Sequence, residues 1–297
     1  MTDLDGTVAW SDLLNEATTR LERAGMEAPA IDARRIIEQA TGAEPRDFHG
    51  VLDELATVRG VAAFDAMVAR REAGEPLQYV VGRWGFRDLD VMVDRRVLIP
   101  RPETEVVAGL AIDEVVARSG GGRDVVVADL GTGSGVIGLS IASECPAARV
   151  LAADRSAEAL AVARANLSGL GRAAARVSLH EGSWFEALPE SVRGAIDVLV
   201  ANPPYVADGE ELPSVVGEWE PTMALRAGPV GDEDLVTIVD GAGAWMAPGG
   251  AVVLEMAPMQ TATIAERFRS LGWPASIHDD LAGRSRAVVA RVPTTAG

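Results

Sequence analysis

Apolar positions recur with two different periods along this chain, and the period changes near residue 75 and again near residue 125. In "SDLLNEATTRLERAG" (11–25), Leu13, Leu14, Ala17 and Leu21 share one stripe. Spacings of three and four place them on one helix face and leave the polar residues in water. Ser11 is the expected N-cap and Gly25 the stop. "APAIDARRIIEQATG" (28–42) predicts a second helix, with Pro29 in the first turn, an apolar side at Ile36, Ile37 and Ala40, and Gly42 at the end. "GVAAFDAMVARREAG" (60–74) predicts a third, closed by Gly74. Residues 1–74 therefore read as a small helical bundle.

From Pro76 the composition turns β-branched and aromatic. "PLQYVVGRWGFRDLDVMVDRRVLIP" (76–100) reads as a linker plus a β-hairpin, so residues 75–102 form a connecting segment. "RPETEVVAGLAIDEVVARSGGG" (101–122) predicts a helix with a glycine stop. After Val125, strand and helix patterns alternate. "VVVADL", "ARVLAAD", "ARVSLHEG", "DVLVA", "GGAVVLEM" and "RAVVARV" read as strands. "SGVIGLSIASE", "SAEALAVARANLSGLG" and stretches near 233–246 and 259–271 read as helices. Apolar runs separated by helices mark a parallel sheet covered on both faces, an α/β domain over 103–297.

Composition narrows the options. The chain has 297 residues, 48% hydrophobic and 24% charged, enough to bury a core. Its net charge is −17, and all 27 basic residues are Arg. An acidic surface repels phosphate backbones, so general nucleic-acid binding is not expected. Arg95, Arg96 and Arg101 form a local basic cluster, read as a solvated face. One cysteine, Cys145, rules out an intrachain disulfide, and His49, His180 and His278 lack ligand spacing, so no metal is expected. The start, "MTDLDGTVAW", has no apolar core of a signal peptide, and no run reaches the length of a membrane span. These features describe a soluble, cytoplasmic protein.

Two motifs carry chemistry. "ADLGTGSGVIG" follows the first core strand and opens a helix. Gly131, Gly133 and Gly135 alternate, with Thr132 and Ser134 between them. Glycine admits positive φ and close approach of a ligand to the backbone. Val136 stands where a dinucleotide loop needs its last glycine, so the spacing suits a ligand without a pyrophosphate, such as S-adenosyl-L-methionine. Asp154 ends the second strand of this unit, where an acid accepts hydrogen bonds from ribose hydroxyls; Ser156 is free to cap the next helix. Asp129 ends the first strand and either orients the methionyl part of the ligand or caps its helix.

The second motif is "DVLVANPPYV" (197–206). Pro203 and Pro204 hold Asn202 and Pro203 extended and remove two N–H donors. The Asn202 side-chain oxygen and the Pro203 carbonyl then both face outward. Two acceptors satisfy both hydrogens of an –NH₂ group, and Tyr205 can cover its flat face. A proline-rich turn with a packed Tyr is the alternative. Ligands of open α/β sheets sit at the carboxyl ends of the strands, where this turn also lies.

With these residues in place, the chain resembles the HemK/PrmC family of release factor glutamine N5-methyltransferases. The likeness runs through "EPLQYVVGRWGFRDLDVMVDRRVLIPRPETE", "DLGTGSGVIGLSIA", "EGSWFEAL", "ANPPYV" and "GRSRAVVAR". It implies a Rossmann-like class I S-adenosylmethionine-dependent methyltransferase domain with a mostly parallel seven-stranded sheet, and a helical N-terminal domain that engages the substrate. It implies that Gly131–Gly135 and Asp154 contact the cofactor and that Trp184 flanks the adenine. Asn202 to Tyr205 bind the substrate glutamine, Asn202 lying near the methyl donor too. Phe86 and the block Arg101–Thr104 line the same pocket. The implied substrate is the glutamine of the Gly-Gly-Gln motif in class I peptide chain release factors, and the product of the cofactor is S-adenosyl-L-homocysteine. Ser183 stands where members often carry Asp, and "LEMAPMQ" replaces a more usual Glu-x-Gly. Competing substrates are a ribosomal-protein glutamine and an exocyclic amino group of adenine; a non-catalytic nucleotide-binding module is the remaining option.

Overall fold

The computed structural model describes residues 8–294; the reading of the first seven residues lies outside them. The chain forms two compact units. One comprises the residues up to Arg83 with Ser214–Trp219, the other Trp84–Pro213 and Glu220 onward.

The first unit holds α1 (Trp10–Arg23), α2 (Pro29–Thr41), α3 (Phe48–Val51), α4 (Val58–Glu72) and α5 (Leu77–Val81). Its apolar stripe is buried at Leu13, Ala17, Leu21, Ile36 and Ile37, while Leu14 and Ala40, read as part of it, are only half-buried. Trp10 joins it, edge-on to Phe64 with centroids 6.0 Å apart. Ser11 is not the N-cap. The N-cap lies two residues earlier, at Ala9, because the carbonyls of Glu54 and Leu52 accept the N–H groups of Trp10 and Ser11. Backbone acceptors therefore do what a capping side chain would do. The segment read as linker also contains α5. Arg70 explains that short helix: it pairs with the buried Glu75 at 2.7 Å and donates to the carbonyls of Tyr79 and Val80.

The second unit opens on the hairpin β1 (Arg83–Phe86) and β2 (Leu89–Met92), followed by α6 (Pro102–Arg118). β3 (Val125–Leu130), α7 (Val136–Glu144), β4 (Ala148–Asp154), α8 (Ala157–Ser168), β5 (Val177–Glu181) and β6 (Ile196–Ala201) come next. After the short α9 (Ser214–Trp219), which belongs to the first unit, come α10 (Glu233–Ala242), β7 (Met246–Glu255), α11 (Thr261–Ser270), β8 (Ala275–Asp279) and β9 (Ser285–Arg291). The sheet has seven strands in the order β5-β4-β3-β6-β7-β9-β8. β9 runs antiparallel to both its neighbours; the other pairings are parallel. Of the strands, β8 was not read from the sequence: its residues are half-exposed along an edge and carry no apolar run.

Alternation sorts the strands' side chains. Leu130, Leu151, Leu199 and Leu254 face α10 and α11, where Leu235, Ile238, Ile264 and Phe268 complete a buried cluster. Asp129 and Val150 point the other way, against Gly138 of α7. Strand order reverses beside β3, which lies between β4 and β6. The registers pair Leu130 with Ala153 and with Ala201. The glycine loop, Asp154 and the Asn-Pro-Pro-Tyr turn thus leave the sheet side by side at its switch point, where open α/β sheets bind ligands.

Candidate active site

The glycine loop needs its glycines. Gly131, Gly133 and Gly135 have φ of 73°, 56° and 91°, in the left-handed region that side-chain-bearing residues rarely adopt. Asp129 lies beneath the loop, wholly buried. Its Oδ2 accepts the Thr132 hydroxyl at 2.6 Å and the Gly138 N–H at 2.9 Å, while Oδ1 has no partner. Burial pushes its carboxyl up to about 6. Asp129 thus braces the loop from below.

Asp154 reaches the loop from β4. Its Oδ2 accepts the Gly133 N–H and its Oδ1 the Ser156 N–H, both at 2.9 Å. Ser156 does the capping of α8, accepting from the Ala159 N–H at 3.1 Å, so Asp154 is not needed for that task. Burial raises the Asp154 carboxyl above its ordinary value, against the two backbone N–H groups that favour the ion.

Trp184 closes one side. Its φ of 46° is left-handed, a strained setting for a bulky residue of the kind that gathers at functional sites. The strain brings its ring within 3.3 Å of where a Gly131 Cβ would stand. Asp234 lies near the indole, its carboxyl raised above the ordinary value by burial.

The Asn-Pro-Pro-Tyr turn follows β6 directly. Asn202 Nδ2 donates to Thr104 Oγ1 at 3.3 Å, which leaves Oδ1 for other donors. Pro203 and Pro204 are buried. Burial, with the Glu255 carboxyl nearby, pushes the Tyr205 phenol up to about 12, so it stays neutral. Its carbonyl accepts from Gln260 Nε2 at 3.2 Å, and Val206 is pinned by the Leu225 carbonyl and the Ala227 N–H.

A single cleft joins these parts. It offers about 1160 Å³ of non-protein space, open mouth included. Of the residues singled out in the sequence, Gly131, Thr132, Gly133, Ser134, Asp154, Trp184, Asn202 and Pro204 line it. Arg101 and Thr104 do too, as do Arg95 and Arg96, which were read as a solvated face. Asp129, Gly135, Pro203 and Tyr205 stand behind the wall rather than on it, and Phe86 is buried in the core. Three residues of the site had gone unread. Asp234 lies near Trp184. Glu220 accepts the Ile99 N–H at 3.1 Å and Arg101 Nη2 at 2.5 Å, tying two stretches of the cleft wall. Glu255, almost wholly buried with Oε2 lacking a hydrogen-bond partner, is pushed up to about 7 by desolvation.

A mostly parallel seven-stranded sheet with a glycine-loop cleft at its switch point is the architecture of a Rossmann-like methyltransferase. A methyltransferase of Pyrococcus furiosus shares the fold, with TM-score 0.50 and 19% identity over 77% of this chain and 98% of that one. Residues 114–219 match the methyltransferase small domain, and residues 12–82 match the PrmC N-terminal domain. The release factor glutamine methyltransferase of Cereibacter sphaeroides is 37% identical over 95% of this chain and 98% of its own. That of Deinococcus radiodurans is 38% identical over 94% and 97%. The chain belongs to the release factor glutamine methyltransferase family.

Proposed function

We propose that this protein transfers a methyl group from S-adenosylmethionine to the side-chain amide nitrogen, N5, of the glutamine in the Gly-Gly-Gln motif of class I peptide chain release factors. The observation that carries this reading is one cleft holding both the glycine loop with Asp154 and Trp184 and, across from them, Asn202 with its oxygen uncommitted.

The residues present fit the cofactor. Each Asp154 oxygen accepts one backbone N–H and keeps a lone pair for a ribose hydroxyl. The Trp184 ring offers a flat face for adenine. The buried, unpartnered Asp129 Oδ1 supplies negative potential beneath the loop for the cationic amino end. When bound, the sulfonium supplies an electrophilic methyl group.

The chain's own residues do the positioning. An amide nitrogen is a poor nucleophile because its lone pair is delocalised. Asn202 Oδ1 accepts one of its hydrogens, and that placement favours a tetrahedral nitrogen over the planar ground state. Neutral Tyr205 supports the turn from behind. Fixing the amide against the methyl carbon removes much of the remaining barrier. The nitrogen gives up one proton to solvent after transfer. The helices of the first unit engage the release factor, a role supported by the match over residues 12–82. Release factors act in the cytoplasm, which is where the enzyme works on this reading.

Labelled S-adenosylmethionine and a purified class I release factor test the proposal. One methyl appears on the Gly-Gly-Gln glutamine; label found only in nucleic acid or in a ribosomal protein overturns it. Asn202→Ala lowers turnover on the order of 10²–10³-fold, as loss of a preorganised transition-state contact does, while cofactor affinity changes far less. A near-normal rate removes the role given to Asn202.

A further inference from the structure

The backbone of the Asn-Pro-Pro-Tyr turn offers few handles. Pro203 and Pro204 carry no N–H, so the motif is held at its ends and through carbonyl oxygens. At the front end, the pairing of β3 with β6 fixes Ala201 opposite Leu130. At the far end the anchor is Gln260, the last residue of the "LEMAPMQ" stretch. Its Nε2 donates to the Tyr205 carbonyl at 3.2 Å and to the Gly231 carbonyl at 2.8 Å; its Oε1 accepts the Ala257 N–H at 3.0 Å. A primary amide has two hydrogens to give and one oxygen to accept with. Here all three partners are backbone groups. They leave the amide one orientation, its oxygen on the N–H and its nitrogen between the two carbonyls.

The partners come from three segments. Tyr205 belongs to the turn after β6, Gly231 to the loop before α10, and Ala257 to the chain leaving β7. The loop is packed as closely as it is bonded. Gly231 has φ of 89°, and a Cβ there would stand 2.8 Å from the Ala207 nitrogen and 3.0 Å from the Tyr205 oxygen. The loop therefore lies directly on the backbone that ends the motif. It is itself held by Glu233, which accepts the N–H groups of Val230 and Gly231 at 2.9 and 2.8 Å. Ala257 stands at the position of the more usual glycine. Its φ of −67° and ψ of 148° are ordinary extended backbone, so the change leaves its N–H available to Gln260.

Resting on the reading of Asn202 as the acceptor for the substrate carboxamide, we propose that Gln260 is a positioning residue: it clamps the Asn-Pro-Pro-Tyr turn to the Gly231 loop and so sets where the Asn202 oxygen stands. Gln260 is outside the cleft, on a smaller cavity that it shares with Tyr205, Glu210 and Asp232, and acts through the turn. Two prolines with fixed φ leave little freedom between Tyr205 and Asn202, so a displacement at one reaches the other. A misplacement of about 1 Å at a reacting group costs on the order of 10²-fold in rate. The three bonds of Gln260 reach neither the glycine loop nor Asp154, which leave β3 and β4, so the cofactor half of the site does not depend on it.

The test uses the full-length protein, S-adenosylmethionine and purified release factor, with two substitutions that split the amide. Gln260→Glu keeps an acceptor for the Ala257 N–H and sets a carboxylate against the two carbonyls. Gln260→Lys keeps donors for the carbonyls and gives up the acceptor. Gln260→Glu lowers kcat on the order of 10–100-fold, with KM for the release factor and cofactor affinity little changed. Gln260→Lys, whose ammonium is favoured by Glu210 and Asp232 of the same cavity, keeps most of the rate. A residue that only secures the chain at Ala257 gives the opposite order. In the double variant with Asn202→Ala, Gln260→Glu adds no further loss. Wild-type turnover in Gln260→Glu, the reverse order of the two variants, or a loss of cofactor affinity in step with kcat overturns the proposal. Circular dichroism shows whether each variant is folded. Should Gln260→Glu not fold, Gln260→Leu, which removes donors and acceptor without adding charge, is expected to lose the same factor and is compared with Gln260→Lys in its place. If Asn202→Ala itself keeps its rate, the underlying reading fails; if Asn202→Ala is impaired and Gln260→Glu is not, only the positioning role fails.

Discussion

Gly131 shows how tightly single residues are constrained at this site. Its φ of 73° already penalises any side chain, and a Cβ there would stand 3.3 Å from the Trp184 ring. Left-handed backbone costs about 1–2 kcal/mol for an L-residue. Gly131→Ala is expected to lower thermal stability by that amount and to weaken cofactor binding by displacing Trp184. Calorimetric titration checks the second part; unchanged affinity would mean that the ring is not part of the cofactor wall. The glycines, Asp154 and the double proline were legible because their meaning is local: conformational freedom, a strand end, a stiff corner. Glu255, Glu220 and Asp234 were not, because each bears on the site through residues distant in the chain. Asn202 and Thr104 are 98 positions apart, Arg101 and Glu220 are 119 apart. No spacing rule along a single sequence connects such pairs.

At the scale of elements, the periodic helices and apolar strands were readable because one buried face dictates their pattern. The departures fall where tertiary partners replace a local signal: carbonyls of residues 52 and 54 start α1, Arg70 caps α5, and β8 borrows its order from β9. Glu220 is the same kind of partner for the cleft. It joins the stretch before α6 to the segment at Pro221–Ala224, and both line the cavity. Glu220→Ala removes two hydrogen bonds at once. Stranding a buried charge costs about 3–5 kcal/mol, but the Arg101 side chain is 32% exposed and can turn to water. The expected loss is therefore nearer 1–3 kcal/mol, chiefly from the orphaned Ile99 N–H. Glu220→Gln keeps an acceptor and loses less. Thermal denaturation ranks the variants, and cofactor affinity should fall in the same order.

For the molecule as a whole, the pH dependence of stability separates two sources of electrostatic cost. The net charge of −17 grows more repulsive as carboxylates ionise. Separately, Asp129 and Glu255 are buried acids whose pKa is raised, from 3.8 to about 6 and from 4.5 to about 7. A raised carboxyl binds its proton more tightly in the folded state. Its contribution is fully present below the unfolded value and is lost as pH climbs to the folded one. Carboxylates held low by arginine, such as Glu144 beside Arg87 and Glu72 beside Arg20, act the other way and lose their contribution only at more acid pH. Stability should therefore peak on the acid side of neutrality and fall between pH of about 4 and 7, by a few kcal/mol at roughly 1.4 kcal/mol per pKa unit. Salt distinguishes the sources. Surface repulsion is screened within about 8 Å at physiological ionic strength, whereas desolvation of a buried acid is not. Denaturant melts across pH at low and high salt should keep most of this slope, and Asp129→Asn combined with Glu255→Gln should flatten it. A slope that vanishes in salt while surviving the double substitution would assign the effect to surface charge instead. Since Asp129 also braces the glycine loop, the pH range that stabilises the fold bears on the cofactor site as well.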